Sequence, residues 1–156
     1  MEKIWFAEYQ KTGIPETVEL PSENTSLNDV FERNFQKFGS RDAFIFMDKV
    51  LTFSELDVAS RKFAAYLQSL GLPKGSRVAV MMPNVLQYPV VALAVFRAGF
   101  VLVNVNPLYT ARELEHQLND SGADVLVIIE NFASVYQAIL GKTPVKHVVI
   151  ASVGDM

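Results

Sequence analysis

The sequence predicts an α/β fold with a mostly parallel sheet and helices on both faces, preceded by an N-terminal helix and a β-hairpin. Two observations support this prediction. From residue 77 onward, short apolar runs alternate with helical patterns, which is typical of a doubly wound sheet. These runs are continuously apolar, as expected when helices cover both faces of a parallel sheet. Half of the 156 residues are hydrophobic, which is enough for one domain with its own core.

The N-terminal part divides into two segments. Residues 1–25 include a polar stretch with two prolines and are predicted to form an extended lead-in on the surface. Residues 26–156 are predicted to form the α/β unit. Its first helix is predicted to begin at Ser26, because apolar residues then recur at helical spacing and Asp29 follows in a capping-box arrangement. Gly39 is expected to end this helix.

A hairpin and a second helix follow. Residues 43–47 and 50–53 are apolar and β-branched, and Asp48-Lys49 is predicted as the turn between them. Ser54 is expected to cap the next helix, since apolar residues then recur at helical spacing. Gly71-Leu72-Pro73 is expected to end it.

The remainder alternates regularly between strands and helices. Each strand is followed by a helix and a further strand, so right-handed crossovers are expected. The predicted strands are residues 77–82, 100–105, 124–129 and 146–151, and the predicted helices are residues 84–98, 110–120 and 131–140.

Composition excludes several classes of protein. The net charge of −3 and the absence of basic clusters argue against a nucleic-acid partner. Cysteine is absent, which excludes disulfides and thiol nucleophiles and is compatible with the cytoplasm. The N-terminus lacks the pattern of a signal peptide. Residues 85–105 have the length of a membrane span, but Arg97 and the break at Gly99 favour a helix followed by a buried strand.

Two motifs are better explained by structure than by chemistry. Residues 71–77, GLPKGSR, differ from a phosphate-binding loop in spacing and in element order, so a helix end and a turn are expected. Glu113 and His116 share a helical face, as metal ligands do, but such sites need further ligands. Thr110 and Glu113 instead match a capping box. His116 is therefore not predicted to be catalytic, and no metal site is predicted.

Two loops follow the carboxyl ends of predicted parallel strands. They are residues 81–84, MMPN, and residues 104–110, NVNPLYT. In open α/β sheets ligands bind at this edge, and helix N-termini there favour anions. Turns without a ligand and a ligand-binding edge remain equally open interpretations.

Two segments carry a resemblance to a known family. They are LTFSEL (residues 51–56) and VFRAGFVLVNVNPLYTARELEHQLNDSGADVLV (residues 95–127). They resemble the first and second core motifs of the adenylate-forming enzymes, the superfamily of acyl-CoA synthetases, luciferases and peptide-synthetase adenylation domains. The pattern from Asn106 to Ala123 is most similar to that of bacterial long-chain fatty-acid–CoA ligases.

This resemblance implies a ligase that joins a fatty acid to CoA through an acyl adenylate, with ATP and Mg²⁺. The family's phosphate loop, ribose-binding aspartate and catalytic lysine have no counterpart here. We therefore expect an N-terminal fragment without catalytic residues, inactive alone and partnered by the rest of its own chain. The resemblance assigns Asn106, Pro107, Leu108 and Tyr109 to the CoA side. A cytoplasmic location, peripheral membrane contact and a homodimer are further expectations. The alternatives are a free-standing nucleotide- or CoA-binding module and an interaction domain.

Overall fold

A computed structural model describes residues 3–18 and 25–156 of the chain. Within these ranges the helices are α1 (Phe6–Thr12), α2 (Leu27–Phe38), α3 (Phe53–Ser69), α4 (Gln87–Ala98), α5 (Ala111–Ser121) and α6 (Ala133–Gln137). The strands are β1 (Asp42–Phe46), β2 (Lys49–Thr52), β3 (Arg77–Met81), β4 (Val101–Asn104), β5 (Val125–Ile129) and β6 (His147–Ala151). Two 3₁₀ turns cover Glu130–Phe132 and Val153–Asp155.

Strands β3 to β6 form one parallel sheet in the order β4-β3-β5-β6. The chain steps from β3 to β4 in one direction and from β4 to β5 in the other. Right-handed crossovers therefore place the connecting helices on opposite faces. Val78 and Val80 of β3 pack in a core with α3 and α4, whereas Ala79 and Met81 pack in a second core with α5 and α6. The predicted α/β class is confirmed, and the strand order makes the sheet doubly wound.

The predicted hairpin is formed by β1 and β2, which pair antiparallel. Its turn consists of Met47 and Asp48, with φ of +46° and +64°, so the predicted turn at Asp48-Lys49 is wrong by one residue. Two positive φ values suit a two-residue turn whose twist matches that of the strands. Such turns usually contain Asn or Gly. Because neither is present, the sequence did not mark the position of this turn.

The start of α3 also differs from the prediction. Thr52 caps the helix, not Ser54. The Glu55 N–H donates to Thr52 Oγ1 (3.2 Å), and the Thr52 N–H donates to the Glu55 carboxylate (2.9 Å). A capping box needs an acidic residue three positions after the cap. Ser54 also has such a residue, Asp57, but that carboxylate is bound by arginines instead.

The lead-in predicted to be extended contains α1. This helix buries none of its residues, and Gly13, with φ of +70°, ends it. A helix without a buried face has no apolar periodicity, so the pattern that predicts the other helices is absent here. Residues 1–2 and 19–24 of the predicted lead-in lie outside the described residues.

Two further helices are shorter than predicted. Helix α4 begins at Gln87, not at Asn84, so that Pro89 is its third residue. Proline is tolerated in the first turn of a helix but not in its interior. Helix α6 ends at Gln137, and the Ile139 and Leu140 N–H groups bond to carbonyls only three residues back. The predicted helix 131–140 is therefore an α-helix of five residues flanked by tighter turns.

An ionic cluster fastens α2 to α3 and α4. The mostly buried Arg97 guanidinium contacts Glu32 Oε1 (2.7 Å) and Asp57 Oδ1 (2.5 Å). Arg61, which is half exposed, contacts the same two carboxylates at 2.5 Å and 2.9 Å. Arg97 also lies over the ring of Phe35. The arginine within residues 85–105 is thus a link between three helices. None of the described helices is long and apolar enough to cross a membrane.

We predict that Arg97→Met destabilises the chain more than Arg61→Met. Without Arg97, the Glu32 and Asp57 carboxylates lose their least exposed cation. The expected loss is about 2–3 kcal/mol, less than for a fully buried pair because both carboxylates are partly exposed. For the more exposed Arg61 the expected loss is below about 1 kcal/mol. Urea unfolding of the two variants measures the difference, and equal losses would contradict this ranking.

Candidate functional site

The two predicted ligand-side loops lie at the same edge of the sheet. Residues 81–84 follow β3 and residues 104–110 follow β4, its parallel neighbour. The Tyr88 hydroxyl at the start of α4 donates to Asn104 Oδ1 (2.8 Å). Gln117 of α5 donates through Nε2 to the Asn104 carbonyl (2.9 Å). These contacts fix the carboxyl end of β4 between the helices on the two faces of the sheet.

The loop after β4 is a tight turn that displays one apolar side chain. Asn106 Oδ1 accepts from the Leu108 N–H (3.0 Å), and the Asn106 carbonyl accepts from the Tyr109 N–H (3.1 Å). The Asn106 side chain thus serves its own backbone. Tyr109 packs against the core beneath α5, whereas Leu108 is 80% exposed. Of the four residues assigned to the CoA side, Leu108 is the one most available to a ligand.

The predicted capping box at the start of α5 is confirmed. The Thr110 N–H and hydroxyl both donate to Glu113 Oε2, at 2.8 Å and 2.7 Å, and Thr110 Oγ1 accepts from the Glu113 N–H. The two hydrogen bonds that the Glu113 carboxylate accepts hold its pKa below the usual value, and the bond from the Thr110 N–H has the larger effect. Glu113 is therefore committed to the helix end, as the sequence indicated.

A groove of about 780 Å³ runs from this loop along the outer side of α5. Its charged lining consists of Arg112, Glu113 and Asp120, so carboxylates outnumber cations. The exposed His116 also lines it. Among the described residues no three His, Asp or Glu side chains come together in a way that would hold a metal. The groove has the size of a ligand site, but its charges disfavour a phosphate-rich ligand.

The crevice where the strand order reverses lies elsewhere, between β3 and β5, and hydrogen bonds join the helix start beside it to the segment after β6. The buried Gln87 donates through Nε2 to the carbonyls of Ser152 (2.6 Å) and Val153 (3.4 Å). Val153 packs against the core shared with α3 and α4. The Ser152 hydroxyl also hydrogen-bonds the Glu130 carboxylate at the end of β5. Sequence reasoning missed this contact, and a polar residue at a buried helix start was its only signal.

A doubly wound sheet with loops at its carboxyl edge serves many enzymes, so this geometry defines a class and not yet a family. Comparison with known proteins supplies the family. Residues 31–155 match the family of AMP-binding enzymes. The chain belongs to this family.

Within the family, several similar proteins are CoA ligases. The long-chain-fatty-acid–CoA ligase of Escherichia coli O6:H1 is 50% identical over 156 residues, which is 99% of this chain and 28% of the ligase. That of Bacillus subtilis is 40% identical over 129 residues, 83% of this chain and 22% of the ligase. The crystal structure of a long-chain-fatty-acid-CoA ligase from Archaeoglobus fulgidus matches with a TM-score of 0.79 and 31% identity, over 85% of this chain and 28% of that one. The match to this chain therefore spans only 22–28% of the length of these relatives.

We predict that Thr110→Ala lowers the free energy of unfolding by about 1 kcal/mol, because α5 loses its side-chain cap. Thr110→Ser, which keeps the hydroxyl, is the matched control and should change stability by only a few tenths of that amount. Urea unfolding measures both variants. Equal losses in the two variants would show that the methyl group, not the hydroxyl, carries the effect.

The lowered pKa of Glu113 predicts a pH dependence. Its folded-state pKa lies below 4.5, the ordinary pKa of a glutamate. Its contribution to stability is therefore complete above that value and is lost as the pH falls through the folded-state pKa. Wild type should exceed Glu113→Gln in stability at about pH 6, and this difference should shrink towards about pH 3. Urea unfolding at both pH values tests this, and a difference that grows on acidification would contradict it.

Proposed function

We propose that the chain is the N-terminal part of an ATP-dependent long-chain fatty-acid–CoA ligase. The observation that carries this proposal is the 50% identity over 99% of the chain to a bacterial ligase of that name. In the proposed reaction a fatty-acid carboxylate oxygen attacks the α-phosphorus of ATP, and pyrophosphate leaves. The CoA thiolate then attacks the acyl carbonyl carbon, a thioester forms and AMP leaves.

We propose that this chain forms one side of the CoA-binding site. Residues 106–109 lie beside the start of α5, and Leu108 projects from this turn into solvent. The neighbouring groove is lined by more carboxylates than cations. We therefore propose that Leu108 contacts the uncharged pantetheine arm of CoA and does not contact the CoA phosphates. The turn is held by its own hydrogen bonds, so it would present Leu108 without prior ordering.

The remaining chemistry is proposed to reside in the rest of the polypeptide. We assign Mg²⁺, which in ATP-dependent enzymes is held by carboxylates together with substrate phosphates, to the rest of the polypeptide along with ATP. No catalytic residue is assigned to this chain. We further propose a cytoplasmic enzyme with peripheral contact at the inner face of the membrane, where fatty acids partition.

A free-standing nucleotide-binding module is the alternative. Such a module would use the crevice between β3 and β5, where ligands bind in doubly wound folds. Beside that crevice, Gln87 at the start of α4 donates its hydrogen bonds to the Ser152 and Val153 carbonyls of the same chain and not to a ligand. This arrangement supports the ligase proposal over the free-standing module.

We predict that the 156-residue chain does not catalyse fatty-acid-dependent exchange between ATP and pyrophosphate, whereas the complete polypeptide does. The reason is that this chain spans little more than a quarter of its ligase relatives. The exchange of labelled pyrophosphate into ATP, with and without a long-chain fatty acid, measures it. Exchange by the 156-residue chain would overturn the assignment of the chemistry to other segments. Its absence from the complete polypeptide would overturn the proposed function.

The CoA assignment predicts a selective defect in Leu108→Ala. In the complete polypeptide the KM for CoA should rise by about tenfold, since a buried leucine contact contributes about 1.5 kcal/mol or more. ATP–pyrophosphate exchange should not change, because adenylation precedes CoA. Val58→Ala, at an exposed apolar position on α3, is the matched control and should leave both unchanged. An unchanged KM for CoA in Leu108→Ala would contradict the assignment.

A further inference from the structure

Strand β6 lies at the edge of the parallel sheet, and one of its faces is open. Its pairing with β5 aligns Val148 with Leu126 and Ile150 with Ile128, so these four residues share the face that carries α5 and α6. Leu126 and Ile128 are completely buried, whereas Ile150 is 59% exposed and Val148 is also exposed. On the opposite face, Val149 and Ala151 pack against the core beneath α3 and α4. The open face is therefore a local gap in an otherwise covered sheet.

This gap forms an apolar groove of about 410 Å³ between α6 and β6. Leu140, mostly exposed, lines it on the side of α6, and Val148 and Ile150 form its floor. None of its lining side chains is charged. Within the described ranges, β6 pairs only with β5, so the backbone groups of its other edge are open to a further strand. Parallel sheets are normally covered on both faces and their edges protected.

We propose that this groove and the free edge of β6 bind a strand–helix segment of the same polypeptide from beyond Met156. The proposal rests on the proposed function, in which the polypeptide continues well past this chain, as its 28% coverage of a ligase relative indicates. A further step across the sheet in the direction from β5 to β6 would add a strand along β6. A helix that flanks this strand would cover the groove beside α6, since helices normally cover both faces of a parallel sheet.

The position of Met156 indicates from which part of the polypeptide the segment that covers the groove comes. Met156 lines a hollow with Leu51 and Ala59 on the α3 side of the sheet, opposite to the groove. The covering segment therefore comes from further along the chain than the residues that directly follow Met156. Only the short turn Val153–Asp155 separates β6 from Met156. Because the covering segment belongs to the same polypeptide, its effective concentration at the groove is high, which favours it over a second molecule.

Thiol labelling tests this docking, because the chain has no cysteine of its own. Ile150→Cys is compared with Val58→Cys, whose position on α3 is similarly exposed at 52%. Each variant is made in the 156-residue chain and in the complete polypeptide, with any further cysteines replaced by serine. In the 156-residue chain both thiols should react with a maleimide at similar rates. In the complete polypeptide the thiol at position 150 should react at least about tenfold more slowly, whereas the labelling rate at position 58 should not change.

Leu140→Cys, on the opposite wall of the groove, should show the same protection and guards against a folding defect in Ile150→Cys. Equal labelling of position 150 in both proteins would overturn the proposal. Protection that appears in the 156-residue chain as its concentration rises would overturn it in favour of a second copy. Protection in a complete polypeptide without ligase activity would keep the docking and reject the proposed function. Ligase activity without protection of position 150 would keep the proposed function and reject the docking.

Discussion

The burial of β3 and β5 on both faces is the constraint on which the rest of the structure depends. All five residues of β5 are buried, and so are four of the five in β3. Two strands that are apolar on both faces need a covering layer on each side. The reversal of strand order around β3 meets this need, because right-handed crossovers then place α4 on one side and α5 and α6 on the other. The parallel pairing of β3 with β4 brings the loops after these two strands to one edge.

The features that were predictable from sequence are those encoded locally. The capping boxes at Ser26 and Thr110 each lie within four residues and are present as expected. Two overlapping capping patterns, one beginning at Thr52 and one at Ser54, compete for the start of α3. The pattern at Ser54 would need the carboxylate of Asp57, which binds Arg61 and Arg97 instead. Helix α1 was missed because it buries no side chain, and periodicity predicts only helices that have a buried face.

The candidate site shows the same division between local and distant information. The turn at residues 106–109 follows from Asn106 and its neighbours, so its position and shape could be predicted. The link beside the crevice between β3 and β5 could not, because Gln87 and Ser152 are separated by 65 residues. The acidic lining of the groove beside α5 also depends on packing, which turns Glu113 and Asp120 to the same side as Tyr109. Sequence therefore located the edge of the sheet, and structure decided which part of it is open.

Six carboxylates of the described residues have bonding partners that suit a structural role, as opposed to a catalytic one, for this chain in the proposed enzyme. Asp29, Glu55 and Glu113 are hydrogen-bonded in capping boxes, and their pKa values are lowered by these bonds. Further carboxylates are held by cations: Glu32 and Asp57 by the arginine cluster, and Asp124 by Lys146. Acid–base catalysis at neutral pH uses carboxyl groups whose pKa is raised towards neutrality. The capping-box hydrogen bonds lower the pKa values of Asp29, Glu55 and Glu113 instead, so these three carboxylates stabilise helix ends, and Glu32 and Asp57 stabilise helix contacts through their arginines. The surfaces to which we assign binding are apolar, namely Leu108 at one edge and the open face of β6 at the other, and such surfaces bind by contact rather than by proton transfer.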